Sequence, residues 1–190
     1  YLILVLAGVC QASIAAENDW LLVPHERAGL IRAGWSVSDL KNAFDPLDYQ
    51  MLTVPGPEGT EHISIVVYPG TENEIEISFD ENTQFLSYAK VRGSNSSWRS
   101  ENGLKIGSSA ADVRAINGRS FSVLGFGWDY GWQLVDTNGG DYKGPHLWFT
   151  HMGSGPVEFM GEEIIDIDRF DDPAELIIRQ MDIGLRVLSQ

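Results

Sequence analysis

Two short stretches decide how this chain is read: Gly34-Trp35-Ser36-Val37-Ser38-Asp39-Leu40-Lys41 and Gly107-Ser108-Ser109-Ala110-Ala111-Asp112-Val113-Arg114. Glycine, serine and aspartate recur in place, followed by an aliphatic and then a basic residue. In each copy Ser and Asp stand three apart, the spacing of a capping box with Asp in place of Glu. The serine hydroxyl can accept from an N–H of the first helical turn, and the aspartate suits the positive end of the helix dipole. Both stretches are therefore expected to open a short helix. In the first, Val37, Leu40 and Phe44 line one helical face. Upstream, Gly29-Leu30 echoes Gly103-Leu104, one residue out of register.

Strand-like segments follow each expected helix. After the first they cover residues 49–54, 62–68, 74–79 and 85–91. The third is the clearest: Ile75, Ile77 and Phe79 point one way, while Glu74, Glu76 and Ser78 point the other. Pro69-Gly70 and Asp80-Glu81-Asn82 mark turns. After the second helix the expected strands are 121–126, 132–136, 146–151 and 157–160. A C-terminal helix is expected from Asp172 as N-cap, with Pro173 first and Glu175 third. Leu176, Ile177 and Met181 give it an apolar face, Gly184 ends it, and a last strand covers 185–188. The expected class is α+β: two similar units, each a short helix followed by an antiparallel meander, plus the C-terminal helix. The units are 17–93 and 102–190, joined by a connector at 94–101.

Residues 1–16 carry no charged side chain, and residues 1–9 are almost wholly apolar. An apolar run closed by Ala12-Ser13-Ile14-Ala15-Ala16 is the pattern of a signal peptide and its cleavage site. It is short for a bilayer span, which takes roughly 20 apolar residues. The reading implies a sequence that starts inside the signal, cleavage after Ala15 or Ala16, and a periplasmic or secreted mature protein. A buried N-terminal helix or strand is the structural alternative. Leu6-Ala7-Gly8 looks like the start of a lipobox, but Val9 separates Gly8 from Cys10, so lipoprotein anchoring through Cys10 stands as a minority alternative.

Cys10 is the only cysteine. Its removal with the signal leaves neither a thiolate nucleophile nor a thiolate metal site. The formal net charge of -14 lies wholly beyond residue 16. Such a surface repels nucleic acid and anionic membranes, keeps the chain soluble, and favours cations or a basic partner.

Residues 125–132 are the most unusual stretch, with Phe126, Trp128, Tyr130 and Trp132 set between glycines and Asp129 among them. Aromatic faces bind sugars, cations or partner side chains, but they also fill cores. The candidate ligand- or partner-binding residues are Trp98, Trp128, Asp129, Tyr130 and Trp132, with Trp148 as a further neighbour. The competing assignment makes these rings the core of the second unit. Residues 136–141 place oxygen side chains like part of a calcium loop, but lack its distal bidentate Glu and read better as an Asn-Gly turn. His146 and His151 stand five apart in an expected strand and face opposite sides, which disfavours a shared metal ion. Glu162, Glu163, Asp166 and Asp168 form an acidic strip, better read as a solvated face than as catalytic carboxylates. No nucleophile elbow, phosphate loop or dinucleotide fingerprint is present. No catalytic residue, metal or cofactor is assigned.

Asn102-Gly103-Leu104-Lys105-Ile106-Gly107-Ser108-Ser109, Asn117-Gly118-Arg119-Ser120-Phe121 and Gly125-Phe126-Gly127-Trp128-Asp129-Tyr130-Gly131 together resemble a pattern in a family of uncharacterised exported bacterial proteins. More remotely, Gly-x-Ser-x-x-Asp-Leu at a helix start is similar to the β-lactamase-inhibitor-protein and outer-membrane-assembly lipoprotein folds. That resemblance implies short helices paired with an antiparallel sheet, the unit occurring twice in the inhibitor family. The inhibitor family's disulfides are absent. The expected function is non-enzymatic: an exported binding or interaction module for a protein partner or cell-envelope component. The alternative is a glycan-binding or glycan-processing protein that uses residues 125–132.

Overall fold

The computed structural model describes residues 18–187, so the expected signal segment, Cys10 and the cleavage site lie outside the described residues. Three short strands, β1 (Leu21–Val23), β2 (Arg27–Ala28) and β3 (Ile31–Arg32), lead into helix α1 (Val37–Ala43). Four longer strands follow: β4 (Tyr49–Pro55), β5 (Glu61–Val67), β6 (Ile75–Phe79) and β7 (Leu86–Val91). After β8 (Arg99–Ser100) come helix α2 (Ala110–Asn117), β9 (Ser122–Leu124), β10 (Leu134–Asp136), β11 (His146–His151), β12 (Ile164–Asp166) and β13 (Leu176–Gly184). The class is α+β and mostly sheet.

Both helices begin as the serine–aspartate spacing predicts. Asp39 Oδ2 accepts from Ser36 N at 2.8 Å while Ser36 Oγ accepts from Asp39 N at 3.2 Å. Ser109 and Asp112 form the same box, at 2.8 and 3.1 Å. Gly34 and Gly107 stand two residues before these caps with φ of +80° and +89°, a left-handed turn that a side chain would strain. The carbonyls of Trp35 and Ser108 then accept from Leu86 N and Ile178 N, so each helix start is tied to a strand of the large sheet.

That sheet has the order β11-β13-β7-β6-β5-β4 and is antiparallel throughout. β4 to β7 form the meander expected of the first half. The second half departs from it. β9 lies between β10 and β12 in a separate three-stranded sheet, while β11 and β13 join the large one. The expected strand at 157–160 is instead a 3-10 turn, Val157–Phe159.

The expected C-terminal helix is a second correction. Asp172 does cap Ala174 N, but the helix stops after one 3-10 turn, Pro173–Glu175, and β13 follows at once. Of the expected strand at 185–188, the described residues 185–187 form none, and residue 188 lies outside the described residues. A β-bulge interrupts the alternation of this strand. Trp148 pairs with Gln180 and Phe149 with Ile178, leaving Arg179 as an extra residue. Buried apolar positions therefore run Leu176, Ile178, Met181, Ile183, with a three-residue step across the bulge in place of strict alternation.

The pairing register is two-fold symmetric about Lys90 and Asp182. On either side of that pair, Val91 faces Met181 and Ala89 faces Ile183. Glu76, Ile77, Ser78 and Phe79 meet Lys90, Ala89, Tyr88 and Leu86, with Ser87 bulged out. His146, Leu147, Trp148 and Phe149 meet Asp182, Met181, Gln180 and Ile178 in the same pattern, with Arg179 bulged out. The capping serines keep step, because Ser36 bridges Phe85 and Ser109 bridges Ile177, each two residues before its bulge.

One face of the sheet supplies the core. Ile65, Val67, Ile77, Ala89, Val91, Leu147, Phe149, Ile178, Met181 and Ile183 form one buried cluster with Val37 and Leu40 of α1 and Ala110 and Val113 of α2. β1 pairs in parallel with β8, and Gly184 O accepts from His25 N, so the N-terminal strands close against both halves.

Candidate functional site: the outer face of the large sheet

Alternation along the strands sends Glu76, Ser78, Tyr88, Lys90, Gln180, Asp182, His146 and Trp148 to the face opposite the core. Glu76, Lys90, Asp182 and His146 stand in one cross-strand row. Glu76 is the hub on one side. Its carboxylate takes Lys90 Nζ at 3.1 Å, Arg92 at 3.2 Å and His62 Nε2 at 3.4 Å, and accepts from Ser64 Oγ at 3.3 Å. Burial pushes the Glu76 carboxyl up, but Lys90, Arg92 and His62 outweigh it and hold the group below its usual range.

Asp182 is the hub on the other side, with a different balance. It accepts from Trp148 Nε1 at 2.9 Å and from Gln180 Nε2 at 3.0 Å. Burial raises its carboxyl above the ordinary aspartate range, and these bonds with the charges of Lys90 and His146 do not bring it back. Gln180 links the hubs, since its Oε1 accepts from Arg92 Nε at 2.7 Å. Arg179, projected by the bulge, lies over the Trp148 ring at 5.8 Å.

Two adjoining cavities open on this face. The larger, about 760 Å³, is lined by Tyr88, Lys90, Arg92, Asp129, Trp148, Arg179 and Asp182 among others. The second, about 540 Å³, shares Tyr88 and Asp182 and extends to His25, His146 and Arg186. Tyr88 is 56% exposed, a large ring left in solvent between them. Among the described residues, no group of three or more His, Asp or Glu side chains is placed to hold a metal ion.

The sequence-predicted site residues separate. Trp98 is 0% exposed, donates from Nε1 to Asn73 O and meets Trp20 edge to face, which corrects its assignment to a surface. It also lies in the expected connector at 94–101, where β8 pairs with β1, so that segment is built into the fold. Trp132 is likewise buried, stacked on Phe126 at 4.8 Å and 8°. Neither ring presents a free face. Trp128 is half-buried, its Nε1 bound to the carbonyls of Gly125 and Gly161, and it meets Tyr130 edge to face. Asp129 alone of the five reaches the larger cavity, and its Oδ2 accepts from Glu58 N at 2.6 Å, tying this loop to the β4–β5 turn.

The remaining motifs are occupied locally. Asn138 and Gly139 take φ of +51° and +72° in the expected tight turn, and Asp136 Oδ1 accepts from Asn138 N. Glu163 pairs with Arg169 and Asp168 with Arg114. The outer-face residues Tyr88, Lys90, Arg92, Arg179 and Asp182 escaped the sequence reading. Their one local signal is the alternation of polar with apolar residues through Tyr88-Ala89-Lys90-Val91-Arg92. Comparison with protein-family models, curated proteins and solved structures finds no match.

Proposed function

We propose that this chain is an exported binding module, without catalytic activity, whose outer sheet face recognises a protein partner or cell-envelope component. One observation carries the reading. Positions related by the two-fold register keep their character on the inner face: Ile77 with Leu147, Phe79 with Phe149, Ala89 with Met181, Val91 with Ile183. On the outer face they differ at every step: Glu76 with His146, Ser78 with Trp148, Tyr88 with Gln180, Lys90 with Asp182. Packing accounts for the first set. The second set is free of that demand and carries charges and rings into two cavities, the pattern of a surface adapted to a ligand.

Several expectations belong to the same proposal. The matched caps, bulges and helix bridges support two repeated α+β units, in line with the remote resemblance to tandem-repeat inhibitor folds. The apolar segment 1–16 supports export. The glycan alternative has less support, because Trp132 of its stretch is buried and the Glu76 carboxylate is held by Lys90, Arg92 and His62.

Capture from envelope extracts tests the reading. The wild type retains a partner that Tyr88→Ala loses, with the melting temperature unchanged because the ring is exposed. Equal capture by both proteins refutes this use of the face.

A further inference from the structure

We infer that the larger cavity on the outer face binds an anionic group of its ligand, a carboxylate or a phosphate, between Arg92, Arg179 and the Trp148 ring. The inference rests on the proposed binding role of this face and names the chemistry it recognises.

The lining of this cavity is richer in cations than the molecule as a whole. The chain has 13 lysines and arginines against 27 acidic residues. Yet Lys90, Arg92 and Arg179 line this one cavity, with His62 beside them. The acids nearby are already committed. Glu76 holds Lys90, Arg92 and His62. Asp129 is bound to Glu58 N, and Asp182 accepts from Trp148 and Gln180. Arg92 spends Nε on Gln180 and NH1 on Glu76, which fixes the plane of its guanidinium. Arg179 forms no ion pair with any described carboxylate; its contact is the Trp148 ring. The residue is exposed overall, but partial burial of its guanidinium and the neighbouring charge of Arg92 both lower its pKa. An oxyanion relieves that repulsion and accepts from both guanidinium forks. The bulge that aims Arg179 at this place has the character of a local device at a site.

Arginine Nε resonances of the full chain, followed by NMR at constant ionic strength, test the inference with three probes: inorganic phosphate, acetate and chloride. Saturable shifts at Arg92 and Arg179 with phosphate or acetate, absent with chloride, support it, and the stronger of the two probes identifies the source of the group. Arg179→Gln then weakens binding about tenfold or more, with melting unchanged because the side chain is exposed. Shifts that chloride reproduces, or an affinity unaltered in Arg179→Gln, overturn the inference. If neither anion binds while Tyr88→Ala still abolishes partner capture, the anion site falls and the binding face stands.

Discussion

Trp98 and Tyr88 are both large rings, and the fold gives them opposite work. Trp98 packs in the core and its indole N–H meets Asn73 O. Replacing it with alanine removes a buried ring and leaves that carbonyl without its donor. Trp98→Ala should therefore lower stability by about 3–5 kcal/mol, read by chemical denaturation. Loss below about 1 kcal/mol would mean the ring is not packed as described. Tyr88→Ala is expected to leave stability almost intact. Local sequence does not separate the two, because an aromatic beside polar residues occurs in cores and on surfaces alike. Which one is exposed follows from strand direction and from what each strand pairs with.

At the scale of elements, the bulge in β13 decides both structure and chemistry. Removing the extra residue leaves Gln180 and Ile178 adjacent, with unbroken alternation and Leu176, Ile178, Met181 and Ile183 still facing inward. Deleting Arg179 should therefore cost less than about 2 kcal/mol while abolishing oxyanion binding. Global unfolding of the deletion variant would show that the bulge is needed for the fold. The same residue explains what was legible. β6 alternates without interruption, and its strand is legible in the sequence. The capping boxes were legible because a helix start is set by residues three apart. β13 defeats local reading because the bulge at Arg179 breaks its alternation, while Leu176, Ile177 and Met181 match helical spacing although pairing turns Ile177 to the outer face. The outer-face site was hidden for a different reason: Lys90 meets Asp182 only through pairing between strands far apart in the chain.

For the whole molecule, Glu76 and Asp182 give opposite pH dependence. Glu76 has its pKa lowered by folding, so its contribution is present above the unfolded range of about 4.3 and is lost as pH falls through the folded value. Asp182 has its pKa raised, so its contribution is full below about 3.9 and is lost as pH rises through the folded value. Between about pH 2 and pH 7, Asp182→Asn should gain stability relative to wild type as pH rises past about 3.9, while the advantage of wild type over Glu76→Gln, full above about 4.3, should fade as pH falls below it. Melting curves across that range measure both differences; parallel curves for either variant would contradict the assignment of that carboxylate.

The position of the Lys90–Asp182 pair on the two-fold axis has a consequence for assembly. When identical subunits join across such an axis, the residue on it must face its own copy. Lysine would meet lysine, or aspartate would meet aspartate, and like charges directly opposite in a sheet are destabilising. A single covalent chain is released from that constraint. It can place opposite charges at the centre of its own symmetry, as this one does, and so give the two sides of one sheet unequal polarity.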